Sequence, residues 1–130
     1  MNYTHYEKRG YYALLTVGLD IPTRENPSER AYWHWALGNI PEHRILSAEG
    51  LMHWEWVDAP YKKGLHRVVF LLFKQKEEKP MVYDERAILR SGIQLPRTNF
   101  SARKFSSRYD LGDPVAVNFF ITDIEEDHLL

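Results

Sequence analysis

The stretch GLHRVVFLLFKQ, residues 64–75, decides the fold. Between Leu65 and Phe73 only His66 and Arg67 are polar, and residues 68–73 leave no polar alternation. Such a run, bounded by Lys62-Lys63-Gly64 and by the charged KQKEEK of residues 74–79, predicts a central strand covered on both faces. A short buried helix would have the same length, but the adjacent valines and the phenylalanines favour a strand. His66 stands at its entrance, where a sheet begins to open to solvent.

Working outward, residues 11–17 (YYALLTV) read as a strand. Residues 18–27 read as a structured loop, with Pro22, Asn26 and Pro27 as turn formers and Asp20, Arg24 and Glu25 as its charges. Ser28 is placed to cap a short helical turn before Tyr32. A strand is expected over residues 33–39, with Trp33, Trp35 and Leu37 to one side and His34, Ala36 and Gly38 to the other. The two small residues would leave room for something to sit against the histidine. Pro41 ends that strand, and residues 42–50 connect onward with Ile45 and Leu46 as anchors. Residues 51–57 (LMHWEWV) alternate as a half-exposed strand. Residues 81–96 have no clean period beyond a helical turn at 86–89.

The clearest helix covers residues 102–109, with Ser101 as N-cap and a staple from Phe100 to Phe105. Gly112 is its expected stop, and Phe105 and Tyr109 its inward face. Residues 115–124 form a last strand, followed by the acidic, mobile end of residues 125–127. About five strands and one or two short helices predict a mostly β protein, an antiparallel two-layer sandwich.

At 130 residues the chain suits one domain. Seventeen basic against eighteen acidic side chains argue against a general nucleic-acid surface. With no cysteine, disulfides and thiolate chemistry are excluded, which fits a reducing, cytoplasmic compartment. The opening MNYTHYEKRG has no apolar core, and no run approaches the length of a membrane span. Neither a signal peptide nor a transmembrane segment is expected.

None of the six histidines forms HExxH or a clustered metal pattern, and no GxSxG, P-loop or GxGxxG occurs. The candidates that the fold can gather are His34, His66 and Asp20. Two imidazoles and a carboxylate can bind a divalent metal, or receive an anion through imidazole N–H groups. They can equally be core histidines, one bonded to a backbone carbonyl and the other to Asp20. No activated nucleophile is visible, so no catalytic residue, cofactor or enzyme activity is expected.

The segments LDIPTRENPSERAYWHWALGNIP, GLHRVVFLLFKQ and RTNFSARKFSSRYDLGDPVAVNFF together resemble the phosphatidylethanolamine-binding protein family, which includes Raf kinase inhibitor proteins and plant flowering regulators. The resemblance implies a β-sandwich with a small pocket for phosphate or a phospholipid head group, and no metal. Carried over by motif, the ligand-binding residues are Asp20, His34 and His66, with Pro22, Arg24 and Gly64 as support. Gly18 and Val68 stand where the family has an aspartate and a tyrosine, so the pocket is degenerate. The family's usual N-terminal strands have no counterpart, so residues 1–130 are expected to form one incomplete domain whose exposed sheet a protein partner would cover. A structural protein of the mitochondrial large ribosomal subunit, with a vestigial pocket and a mitochondrial location, is the alternative within the same family. Nucleic acid would be a partner only in that case.

Overall fold

The computed structural model describes residues 10–55, 63–84 and 97–124. Its strands are β1 (Tyr11–Gly18), β2 (Tyr32–Pro41), β3 (Glu49–Met52), β4 (Gly64–Lys74) and β5 (Ala116–Ile124). A 3-10 turn (Ile45–Ser47) precedes β3, and helix α1 (Ala102–Arg108) precedes β5. All pairings are antiparallel, in the order β3-β2-β1-β4-β5. The GLHRVVFLLFK run is therefore an inner strand, but the middle of the sheet is β1. Tyr11–Gly18 is buried along nearly its whole length, whereas β4 borders the edge strand and leaves Leu65 50% exposed. Apolar content alone predicts an inner strand and not which inner strand is central.

Two β-bulges in β2 change which side chains share a face. Thr16 pairs with Trp35 and Val17 with Trp33, so His34 is an extra residue between them. Nearer the other end, Tyr12 pairs with Ile40 and Leu14 with Leu37, which sets Gly38 and Asn39 against Ala13 alone. Asn39 takes up the distortion at φ 51. Each bulge interrupts the two-residue alternation. Trp33 and Ala36 consequently lie in one cluster, Trp35 and Leu37 in the other, instead of Trp33, Trp35 and Leu37 together. The room predicted beside the small residues is filled: a Cβ on Gly38 would lie 2.7 Å from Tyr83 Cε2.

The larger core joins Ala13, Leu15, Val17, Trp33, Leu51 and Phe73 to Tyr83, Phe105, Tyr109 and Leu111. The layer packed on this face is thus α1 with its flanking segments, and the described strands form one antiparallel five-stranded sheet of a mostly β fold. On the other face Tyr12, Leu14, Leu37, Ile40 and Leu72 pack with Ile45 of the 3-10 turn. Leu46 points to solvent and anchors nothing.

The helix follows local rules at both ends. Ser101 Oγ accepts from the Lys104 N–H at 3.1 Å, and Phe100 lies 6.0 Å from Phe105, ring to ring. Phe105 and Tyr109 are buried while Arg103, Lys104 and Arg108 are exposed. The stop comes earlier than Gly112. Asp110 adopts φ 52, and the N–H groups of Leu111 and Asp110 donate back to Ser106 O and Ser107 O.

Other expectations shift in smaller ways. Residues 27–30 make a turn rather than a helical cap, with the Arg30 N–H donating to Pro27 O at 3.2 Å. The strand expected over 51–57 occupies Glu49–Met52, and residues 53–55 leave it. The helical turn at 86–89 and the acidic end at 125–127 lie outside the described residues.

Candidate functional site

At the end of β1 the chain enters the 18–31 loop, and Asp20 is turned inward, fully buried. Its carboxylate is held by the arginine that follows His66. Oδ2 accepts from the Arg67 N–H at 2.9 Å and from Nε at 3.0 Å, while Oδ1 accepts from Arg67 Nη2 at 2.8 Å. Arg30 adds a longer contact to Oδ1 at 3.5 Å, and its Nε donates to Leu19 O at 2.6 Å. Burial alone would raise the Asp20 pKa, but the hydrogen bonds from Arg67 and the charges of Arg67 and Arg30 outweigh it and hold the carboxyl below its ordinary value. The same pairing raises the pKa of Arg67.

Both histidines are fully buried. His66 Nδ1 lies 2.9 Å from the Asp20 carbonyl, and His34 Nδ1 lies 2.9 Å from the Glu55 carbonyl. A carbonyl oxygen only accepts, so each Nδ1 carries a proton and donates, and in the neutral ring Nε2 is the acceptor nitrogen. Burial pushes His34 below the ordinary imidazole value and the Arg97 charge acts in the same direction, outweighing the Glu55 bond and charge. His34 is therefore neutral at neutral pH. Its ring meets Tyr32 edge-on at 4.9 Å and stacks against Trp54 at 5.8 Å.

A second ion network locks this side of the site. The Tyr32 hydroxyl donates to Glu55 Oε1, and Arg97 Nε lies 3.6 Å from the same oxygen. Buried Arg97 also donates to the carbonyls of Trp33 (2.9 Å), His34 (3.2 Å) and His53 (3.0 Å). Burial and then the Glu55 bond and charge raise the Tyr32 phenol far above its ordinary pKa, against a smaller opposing effect of Arg97.

The structure thus brings Asp20 and His66 into contact and sets His34 across β1 on β2. Pro22 is half-buried and follows a cis peptide bond. Arg24 is exposed, and the bracing expected of it is carried out by Arg67 and Arg30. Gly64 begins β4 at φ 129, and a Cβ there would meet nothing within 4 Å, so its conformation and not a close approach requires glycine. Both histidines bond to carbonyls; neither takes the Asp20 carboxylate, because Arg67 has it. Among the described residues, no three His, Asp or Glu side chains are placed to hold a metal ion.

Sequence reasoning missed Arg67, Arg30, Tyr32, Glu55 and Arg97. Arg67 carried one signal: a charge inside an otherwise apolar strand needs a partner. No local pattern marks the others, since their partners lie in distant segments.

The family model described as Phosphatidylethanolamine-binding protein matches residues 3–120. The chain is 29% identical over 114 residues to Putative odorant-binding protein A5 of Drosophila melanogaster, covering 88% of this chain and 53% of that protein. With Protein FLOWERING LOCUS T of Arabidopsis thaliana it shares 33% over 114 residues, covering 86% and 58%. It therefore spans between about half and three-fifths of the length of these relatives. Among solved structures, the phosphatidylethanolamine-binding protein from Plasmodium vivax superposes with a TM-score of 0.71 at 24% identity, over 95% of this chain and 70% of that one. The CG7054 solution structure gives 0.61 at 31%, over 92% and 65%. These comparisons do not support the ribosomal alternative.

Proposed function

The chain belongs to the phosphatidylethanolamine-binding protein family, and from that premise we propose that it is a non-enzymatic binding protein that receives a phosphate or phosphorylated head group beside His34 and His66. The observation that carries this reading is a charge excess around two fixed imidazoles. Among the described residues, the carboxylates that face Arg30, Arg67 and Arg97 in the two networks are Asp20 and Glu55, which leaves one positive charge in excess there. Protonating His34 adds to it, and the sign follows from its lowered pKa. The cationic form grows only as pH falls below about 6.5, so anion affinity strengthens toward acid and is weaker at neutral pH. The absence of cysteine fits a cytoplasmic setting.

Calorimetric titration of inorganic phosphate and of short-chain phosphatidylethanolamine, near pH 6 and near pH 8, tests the reading. Binding is expected at the lower pH, and H66A is expected to lose about 10- to 100-fold in affinity through one charge-assisted hydrogen bond. Absence of heat with both ligands at both pH values, in folded protein, refutes it.

A further inference from the structure

One face of the sheet is only partly covered. In the β4–β5 register Leu71 pairs with Val117, Val69 with Phe119, Arg67 with Ile121 and Leu65 with Asp123. These residues share the face that α1 and its neighbours cover over β1 and β2. Among the described residues that cover ends beyond β4: Leu65, Val115, Val117, Phe119 and Ile121 are 50, 56, 59, 58 and 52% exposed. A cavity of about 370 Å³, floored by Leu71 and Phe73 and walled by Ala102, Arg103 and Ser106 of α1, adjoins the bare face at Leu71. The outer edge of β5 is less available, because the Phe119 N–H already donates to Asn118 Oδ1 at 2.8 Å.

We infer that this face is the interface of a two-fold dimer, occupied by a second copy of the chain. Five half-exposed apolar side chains offer on the order of 500 Å² per copy, hence about 1,000 Å² across two copies, the threshold for a specific interface. Val117, Phe119 and Ile121 carry no charge, so an isologous contact meets no like-charge repulsion at its centre. A two-fold axis near Phe119 that runs across the strands sets Asp123 of each copy toward the Val115 end of the other, so the acidic ends do not meet. The face packs against its own counterpart as one sheet packs on another, and the edge of β5 stays outside the contact.

Sedimentation equilibrium of the full chain across micromolar concentrations tests this. The wild type is expected to have the mass of two chains. F119E, which alters an exposed side chain, is expected to give one chain with an unchanged far-ultraviolet circular dichroism spectrum and to weaken association at least tenfold. V117K provides the same test should F119E fold poorly, and K104E on the exposed face of α1 should leave the dimer intact. A monomeric wild type, a dimer indifferent to both β5 variants, or open-ended aggregates without a two-chain species would each overturn the inference. So would a fold that associates only with some other protein.

Discussion

Replacing Asp20 with asparagine isolates the ion pair on which the 18–31 loop rests. The variant keeps the shape and one acceptor oxygen, so the Arg67 backbone N–H can still be satisfied. It removes the charge that receives Arg67 Nε and Nη2 at 3.0 and 2.8 Å. Breaking a buried pair by neutralising one partner costs about 3–5 kcal/mol when the other stays buried. The Arg67 side chain is 32% exposed and regains part of its hydration, which brings the expectation to about 2–3 kcal/mol. For a chain of this length that is a fall in Tm of about 10 °C.

The pH dependence supplies a sharper check. The Asp20 pKa is lower in the folded protein than in the unfolded chain. Its stabilisation is therefore fully present above about pH 4, the unfolded value, and is lost as pH falls through the folded value. Urea melts of wild type and D20N should differ by the full amount near pH 7 and converge in acid. A difference under about 0.5 kcal/mol near neutrality, within the range of ordinary surface substitutions, would refute the reasoning. So would a gap that persists unchanged at acid pH while both proteins remain folded.

Arg97→Lys should cost about 2 kcal/mol in urea melts despite keeping the charge, because one ammonium cannot span the carbonyls of Trp33, His34 and His53. Gly38→Ala should cost about 1–3 kcal/mol by the same measurement, since the new methyl meets the Tyr83 ring at 2.7 Å and Leu51 Cδ1 at 3.1 Å. In a spectrophotometric alkaline titration, the wild-type minus Y32F difference should show no phenolate through about pH 10, where an ordinary tyrosine is half ionised. The raised folded pKa also means that the Tyr32 contribution to stability holds below that pH and is lost as pH rises through the folded value.

Features decided within a few residues were legible in the sequence. The Ser101 cap, the Phe100–Phe105 staple and the inward Phe105 and Tyr109 each depend on side chains less than a helix length apart. The strands were legible because apolar runs and turn residues mark their limits. Two things were not. Strand order depends on which edges meet, so GLHRVVFLLFK displayed its burial without its place beside the edge strand. A bulge adds a residue without any change of composition, so the two-residue period through YWHWALGN put Trp33 and Trp35 on one face when His34 separates them. His34, His66 and Asp20 could be picked out by type and motif, but Arg67 lies 47 residues from Asp20, and sequence spacing does not reveal that pair.

The hydrogen bonds at Asp20 also divide the candidate site into two kinds of residue. A carboxylate offers about four acceptor positions, and here Arg67 fills three while Arg30 approaches the fourth. A ligand reaching Asp20 would have to displace a guanidinium from a buried anion, which costs more than a typical polar contact returns. Under the proposed function Asp20 would therefore act on a ligand through what it holds: its carboxylate fixes Arg67, and its carbonyl fixes the His66 ring. Under the proposed function, D20N should mainly lower stability, with any loss of phosphate affinity following the loosened loop. H66A should mainly lower affinity. Equal affinity losses in fully folded D20N and H66A would place the Asp20 carboxylate in contact with the ligand, and the support role assigned to it would be wrong.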